Sequence, residues 1–92
     1  MKKQIKKRDK AAALKYDFEL DNAPSVTAKG EGFVARRIVE IAHAADVPVV
    51  EDAALVSALL SLELEQEVPV ELYEAVARIL SWIYRLEKGE SA

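Results

Sequence analysis

The chain has 92 residues, of which 51% are apolar and 32% charged, an ordinary composition for one small globular domain. It has no cysteine and a single histidine, which excludes a disulfide scaffold, cysteine-ligated metals and histidine-rich metal sites. No apolar run is long enough to cross a bilayer, and residues 1–10 lack the apolar centre of a secretory signal. These features predict a cytosolic protein.

The net charge of −3 is unevenly distributed. Residues 1–10 carry six basic residues and one acidic residue, a net charge of +5, whereas residues 11–92 carry seven basic and fifteen acidic residues, a net charge of −8. Such an arm could bind phosphates, anionic lipid headgroups or an acidic protein surface, or it could simply be solvated. Because the basic residues outside the arm form no stripe, nucleic acid is disfavoured as the main partner. We divide the chain into a flexible arm (1–10), a domain (11–88) and a tail (89–92).

Two short strands are predicted near the start of the domain. Residues 11–16 are apolar, but alanine is a weak strand former, so composition alone leaves this segment open between strand and helix. Turn-forming residues at 21–24 precede a second strand at 25–28. Gly30 and Gly32 resemble part of a phosphate-binding loop, but Ala35 replaces the third glycine of the dinucleotide fingerprint and Glu31 would repel phosphate. We therefore interpret these glycines as a tight turn into a helix.

Apolar residues at helical spacing predict a helix over residues 32–45, which Asp46 ends. Residues 47–50, Val-Pro-Val-Val, are then predicted as a third strand, with Pro48 near its start or on an edge because proline donates no ladder hydrogen bond. Strand, helix and strand in this order predict a βαβ unit with a parallel pair and a right-handed crossover.

Two more helices are predicted. The first begins near Asp52 or Ala53, with Asp52 as its N-cap, and the second runs over residues 70–88, with Pro69 at its start and Gly89 beyond its end. The apolar arc of the last helix is roughly 220° wide, about twice the roughly 100° that covers one core. This helix is therefore either wedged between two parts of its own fold or offers a face to a partner.

No catalytic site is predicted. His43 is a lone histidine on a helix and is interpreted as a surface side chain, and no serine has a base beside it in a recognisable motif. The carboxylates are numerous, but no pair lies in an apolar setting that would separate their pKa values. We expect a protein that is not an enzyme and needs no cofactor.

Residues 12–86 resemble the soluble cytoplasmic domain of the FlhB/YscU family of flagellar and type III secretion switch proteins. The resemblance is distributed, and its main pieces are Ala13-Leu14-Lys15-Tyr16, Ala23-Pro24, Ala28-Lys29-Gly30, Arg37-Ile38, Val47-Pro48, Leu72-Tyr73, Ala75-Val76-Ala77 and Trp82-Ile83-Tyr84. It assigns residues 11–16 to a strand. The expected fold is α/β: a small mixed sheet of three strands, or four, with a βαβ unit, packed by three helices.

In the family, the first of these strands begins with the self-cleaving tetrapeptide Asn-Pro-Thr-His. The corresponding residues are Lys6, Lys7, Arg8 and Asp9, so the asparagine whose side-chain amide attacks its own carbonyl carbon is missing. The resemblance therefore implies a stand-alone relative that does not cleave itself. It also implies that the strand preceding the motif is absent, which leaves one sheet edge unpaired or covered by the arm.

The resemblance further implies a role in protein export. The family's patch for a hydrophobic signal of early substrates corresponds to Ala23, Pro24, Ala77 and Leu80, and Trp82 on the same apolar arc is a further candidate contact. The implied partners are early hook or rod subunits or export-gate components, and the implied location is cytoplasmic, at the inner face of the membrane. The alternative is a cytosolic adaptor outside secretion, whose residues 1–10 bind RNA or anionic membrane.

Overall fold

A computed structural model describes residues 9–89 of the chain. The elements, in chain order, are strands β1 (Lys10–Lys15) and β2 (Ser25–Glu31), helices α1 (Phe33–Ala44) and α2 (Ala53–Leu60), a single 3-10 turn (Val70–Leu72) and helix α3 (Tyr73–Glu87). The two N-terminal strands and the three helices predicted from the sequence are confirmed at these places. Among the described residues, no helix is both long and apolar enough to cross a membrane.

The two strands form an antiparallel pair. Lys10 lies opposite Glu31 and Lys15 opposite Ser25, with an irregularity in the ladder between Ala13 and Leu14. Gly32 follows β2 with a φ of 61° and a ψ of −126°, a conformation that favours glycine, and the chain then enters α1. The interpretation of this glycine as a tight turn into the helix is confirmed.

The predicted third strand is wrong for the described part of the chain. Residues 47–50 form neither a strand nor a helix, so the sheet has two antiparallel strands and no parallel βαβ pair. Pro48 has no N–H to donate, and Val47 instead donates its N–H to the carbonyl of Ala42 at 2.8 Å. The short β-branched run satisfies the local strand pattern but has no strand beside it.

A different segment lies along the far edge of β2. The N–H of Val26 donates to the carbonyl of Gln66 at 3.0 Å, the N–H of Glu65 donates to the carbonyl of Val26 at 2.7 Å, and Ser25 forms an antiparallel bridge with Glu67. These hydrogen bonds and the bridge lie in the polar segment that connects α2 to the 3-10 turn. The backbone of residues 65–68 thus extends the sheet by a short third segment.

The hydrophobic core lies between the sheet and the last two helices. Its buried members come from β2, α2, α3 and the segment between these helices: Val26, Leu55, Leu59, Leu62, Val68 and Val76. Ala12 and Leu14 of β1 pack against this cluster, and the alternation of strand side chains turns Ala11 to the opposite face. Ala11 and Ala35 of α1 are both buried, and α1 packs on both strands. The sheet is thus covered by helices on both faces.

Asp52 is the N-cap of α2, as predicted. Its backbone is extended, with φ −152° and ψ 96°, and its Oδ1 accepts a hydrogen bond from the N–H of Leu55 at 3.0 Å. The cap sets the first turn of α2, so that Leu55 and Leu59, one turn apart, both reach the core.

Candidate functional site

Four of the five predicted contact residues line one cavity. Ala23, Pro24, Ala77 and Leu80 surround a space of about 160 Å³, and its wall is completed by Tyr16, Asn22, Tyr73 and Val76. The cavity lies where the end of β1, the turn before β2 and helix α3 meet. Residues more than fifty positions apart in the sequence are therefore brought together.

The turn that carries Ala23 and Pro24 is held by two aspartates. Asp17 accepts backbone hydrogen bonds at its carbonyl from Leu20 and Asp21 at 3.1 and 2.7 Å, and Asp21 Oδ2 accepts from the N–H of Asp17 at 2.9 Å. Beyond the turn, the carbonyl of Pro24 accepts from the N–H of Val68 at 2.8 Å. Ala23 and Pro24 are both buried, so this wall of the cavity is packed into the fold.

The opposite wall is one face of α3. Tyr73, Val76, Ala77 and Leu80 follow the i, i+3, i+4, i+7 spacing that puts side chains on one side of a helix. Val76 is buried and forms the floor, Leu80 is half-buried against the core, and Ala77 is exposed at the mouth. The small side chain of Ala77 leaves the space open.

The cavity combines an apolar floor with polar groups at its rim. Alanine, proline, valine and leucine supply the apolar floor and walls, whereas the phenol hydroxyls of Tyr16 and Tyr73 and the amide of Asn22 can donate or accept hydrogen bonds. A cavity of about 150 Å³ lined by apolar groups is large enough for a benzene-sized molecule. The site therefore fits a single apolar side chain, with backbone groups of its owner within reach of the rim.

Trp82, the fifth predicted contact residue, does not belong to this cavity. It lines a larger space of about 550 Å³ together with Val49, Val50, Asp52, Ala75, Arg78 and Ile79. This second cavity lies between residues 49–52 and the other side of α3. Trp82 was expected only as a further candidate contact on the same apolar arc, and the second cavity was not predicted.

The unusual width of the apolar arc on α3 was the signal for two sites. Val76, Ala77 and Leu80 lie on one half of that arc, and Ile79 and Trp82 lie on the other half. Of the residues in α3, Val76 alone is fully buried, while the apolar residues Tyr73, Tyr84 and Leu86 are 45–58% exposed. The core uses the middle of the arc, and the two cavities open on its flanks.

Of the residues at the position of the cleavage motif, Lys6, Lys7 and Arg8 lie outside the described residues. Asp9 is the first described residue, and its carbonyl accepts a hydrogen bond from the N–H of Gly32 at 2.7 Å. The last position of the motif is thus hydrogen-bonded to the residue that follows β2.

Groups that could bind a metal ion are dispersed in this part of the molecule. Within residues 9–89, no three His, Asp or Glu side chains are grouped closely enough to hold a metal ion. His43 is exposed in the last turn of α1 and lines neither of the two cavities. The chemistry offered by the first cavity is therefore apolar contact with hydrogen bonding at the rim.

The chain matches a family model over residues 8–83, that of the FlhB HrpN YscU SpaS family. The chain belongs to this family. The FlhB HrpN YscU SpaS family is that of the flagellar and type III export switch proteins, which work with the export apparatus.

Relatives of two lengths are found within the FlhB HrpN YscU SpaS family. The chain is 46% identical over 89 residues to an uncharacterized protein, YlqH, of Bacillus subtilis (strain 168), covering 97% of this chain and 95% of that protein. It is 43% identical over 83 residues to the flagellar biosynthetic protein FlhB of Escherichia coli (strain K12), covering 89% of this chain but 22% of FlhB. The chain thus spans about a fifth of the FlhB proteins that it matches.

Two solved structures of the FlhB HrpN YscU SpaS family share the fold. The cytoplasmic domain of FlhB from Shewanella putrefaciens superposes with a TM-score of 0.80 at 32% identity, covering 90% of this chain and 71% of that chain. The PscU C-terminal domain gives a TM-score of 0.76 at 29% identity, covering 82% of this chain and 96% of that one. The α/β arrangement of this chain is that of the cytoplasmic export domains.

Proposed function

We propose that this protein is a non-enzymatic component or accessory factor of flagellar or type III protein export. It acts in the cytoplasm, does not cleave itself, and binds an apolar side chain of export substrates in the cavity formed by Ala23, Pro24, Ala77 and Leu80. The early hook or rod subunits are the substrates we expect, with export-gate components as further partners. Membership of the FlhB HrpN YscU SpaS family supports the link to export.

The convergence of these four residues in one cavity is the observation that supports the binding role. The residue types were inferred from family resemblance, whereas the cavity is a property of the folded chain. Because the floor is apolar and the rim polar, burial of one apolar side chain would supply the affinity, and hydrogen bonds at Tyr16, Asn22 and Tyr73 would orient its backbone.

The Ala77→Asp variant tests this role. Its affinity for purified early hook or rod subunits of the same host is compared with that of the wild-type protein. Ala77 is exposed at the cavity mouth, so an aspartate there leaves the core intact but brings an unpaired carboxylate to an apolar site. We expect about a tenfold or greater loss of binding. Ser81→Asp is the matched control, since Ser81 is exposed on the same helix and lines neither cavity.

Equal loss of binding in both variants would point to a general charge effect, and full binding by Ala77→Asp would overturn the assignment of the cavity.

The alternative role as an adaptor outside secretion makes a different prediction. It requires retention on RNA or on anionic vesicles at physiological salt that disappears when residues 1–10 are removed.

A further inference from the structure

The second cavity along α3 is larger than a single side chain requires. Its volume of about 550 Å³ is more than three times that of the first cavity, and it opens between residues 49–52 and the side of α3 that bears Ala75, Ile79 and Trp82. On the opposite wall, Val49 and Val50 are 39% and 42% exposed. Exposed apolar side chains gathered round a hollow are typical of an interaction site.

The apolar residues of α3 on this side follow the spacing of a coiled-coil seam. Ala75, Ile79, Trp82 and Leu86 are separated by steps of four, three and four residues, the steps between the seam positions of a heptad repeat. They cover about 16 Å of the helix axis, since each residue rises about 1.5 Å. Ala75 and Ile79 pack against the core, whereas Trp82 lies outside the core cluster and Leu86 is 45% exposed. The fold thus uses the first half of the seam, and the second half stays partly exposed.

Two arginines flank this seam. Arg78 and Arg85 each directly precede a seam residue, which is a position where charged side chains select the partner of a coiled coil. Both are exposed, and neither guanidinium makes a hydrogen bond or an ion pair with any residue within 9–89. Across the second cavity, the carboxylate of Asp52 already accepts the N–H of Leu55. The charge that the α3 side of this cavity offers to a partner is therefore positive.

We propose that the second cavity receives an amphipathic helix of a partner protein, with apolar residues at heptad spacing and acidic residues beside them. The apolar side chains of this helix fill the hollow against Val50, Ile79 and Trp82, and its carboxylates pair with Arg78 and Arg85. A second copy of α3 would bring the same arginines to this edge, so like charges disfavour self-association there. The two cavities share no lining residue, so this site is independent of the proposed binding of export substrates.

Two capped helical peptides of three heptads test this site with the full chain. Both have leucine at the seam positions and equal numbers of glutamate and lysine. The acidic-edge peptide has glutamate beside the seam and lysine on its outer face, and the basic-edge peptide has the two exchanged, so composition and net charge are identical. We expect the acidic-edge peptide to bind about tenfold more tightly, because each arginine then faces a carboxylate instead of an ammonium. Trp82 is the single tryptophan of the chain, so its fluorescence should shift to shorter wavelength as the peptide covers it.

The double variant Arg78→Glu, Arg85→Glu provides the matched test on the protein. Both side chains are exposed, so the fold should persist by circular dichroism, while the preference between the two peptides should reverse. The Ala77→Asp variant, which alters the first cavity, should bind both peptides as the wild-type protein does. This pair of variants separates the second cavity from the proposed export function.

Equal binding of the two peptides, absence of binding at millimolar concentration, or binding that leaves the emission of Trp82 unchanged would overturn the proposal. Loss of peptide binding in Ala77→Asp would assign the peptides to the first cavity and would also overturn it. Sedimentation showing dimers that the double variant abolishes would assign this side of α3 to a second copy, with the same consequence.

Discussion

The side chain of Lys29 on β2 donates a hydrogen bond from its Nζ to the carbonyl of Leu60, the last residue of α2, at 3.0 Å. The same ammonium also donates to the carbonyl of Leu62 just beyond the helix. The last carbonyls of a helix have no partners within it, and they carry the negative end of its dipole. A partly buried lysine therefore fastens the end of α2 to the sheet.

Replacing Lys29 with methionine should destabilise the domain. The variant keeps the apolar stem but leaves the two carbonyls without their charged donor, so we expect the free energy of unfolding to fall by about 1–3 kcal/mol. Urea unfolding followed by circular dichroism measures this loss. Lys15→Met is the control, since Lys15 is exposed, and it should have a much smaller effect. Similar losses in the two variants would show that the contact of Lys29 with α2 contributes little.

Gly30 allows close packing of α1 on the sheet. A Cβ atom added to Gly30 would overlap Val34 Cγ1 and lie 2.7 Å from Val34 Cβ. We expect Gly30→Ala to lower the free energy of unfolding by about 1–3 kcal/mol through this steric clash. The double variant Gly30→Ala, Val34→Ala should recover part of the loss, because it removes the overlapping Cγ1 methyl group while the Cβ atom 2.7 Å away remains. Purely additive effects in this double-mutant cycle would refute the steric explanation.

The N-cap of α2 gives a third prediction. Asp52→Ala removes the acceptor for the N–H of Leu55 and should cost about 0.5–2 kcal/mol in chemical denaturation. Asp52→Asn retains an acceptor oxygen at the same place and should keep most of the stability. If asparagine were as damaging as alanine, the negative charge beside the helix N-terminus would be more important than the hydrogen bond.

The chain should remain whole. Lys6 has no carboxamide to attack its own carbonyl carbon, so prolonged incubation of the purified protein should leave its mass at the 10.2 kDa of the full chain. Intact-mass spectrometry over several days at neutral pH measures this directly. Appearance of the fragment that starts at Lys7 would contradict both this chemistry and the proposal that the protein does not cleave itself.

Several local features could be predicted because their causes are local. The spacing of apolar residues identified the three helices, and the extended geometry of Asp52 as a cap depends on residues that follow it directly. The types of Ala23, Pro24, Ala77 and Leu80 indicated a binding patch through family resemblance, and the structure brings these residues to one cavity. Trp82 lines the other cavity, which a helical wheel could not show, because a wheel gives the width of the apolar arc but not which neighbours divide it.

The sequence by itself determined the three helices and the apolar character of α3, because repeating side-chain patterns act over a few residues. The strand over residues 11–16 was assigned by family resemblance, and its antiparallel pairing with β2 is a property of the folded chain. Only the tertiary structure decided that residues 65–68 extend the sheet while residues 47–50 do not. Strand pairing depends on which segment lies within hydrogen-bonding distance of a strand edge. Packing between residues far apart in the chain determines which segment that is. The same long-range packing separated the two cavities along α3 and left the outer edge of β1 without a partner among the described residues.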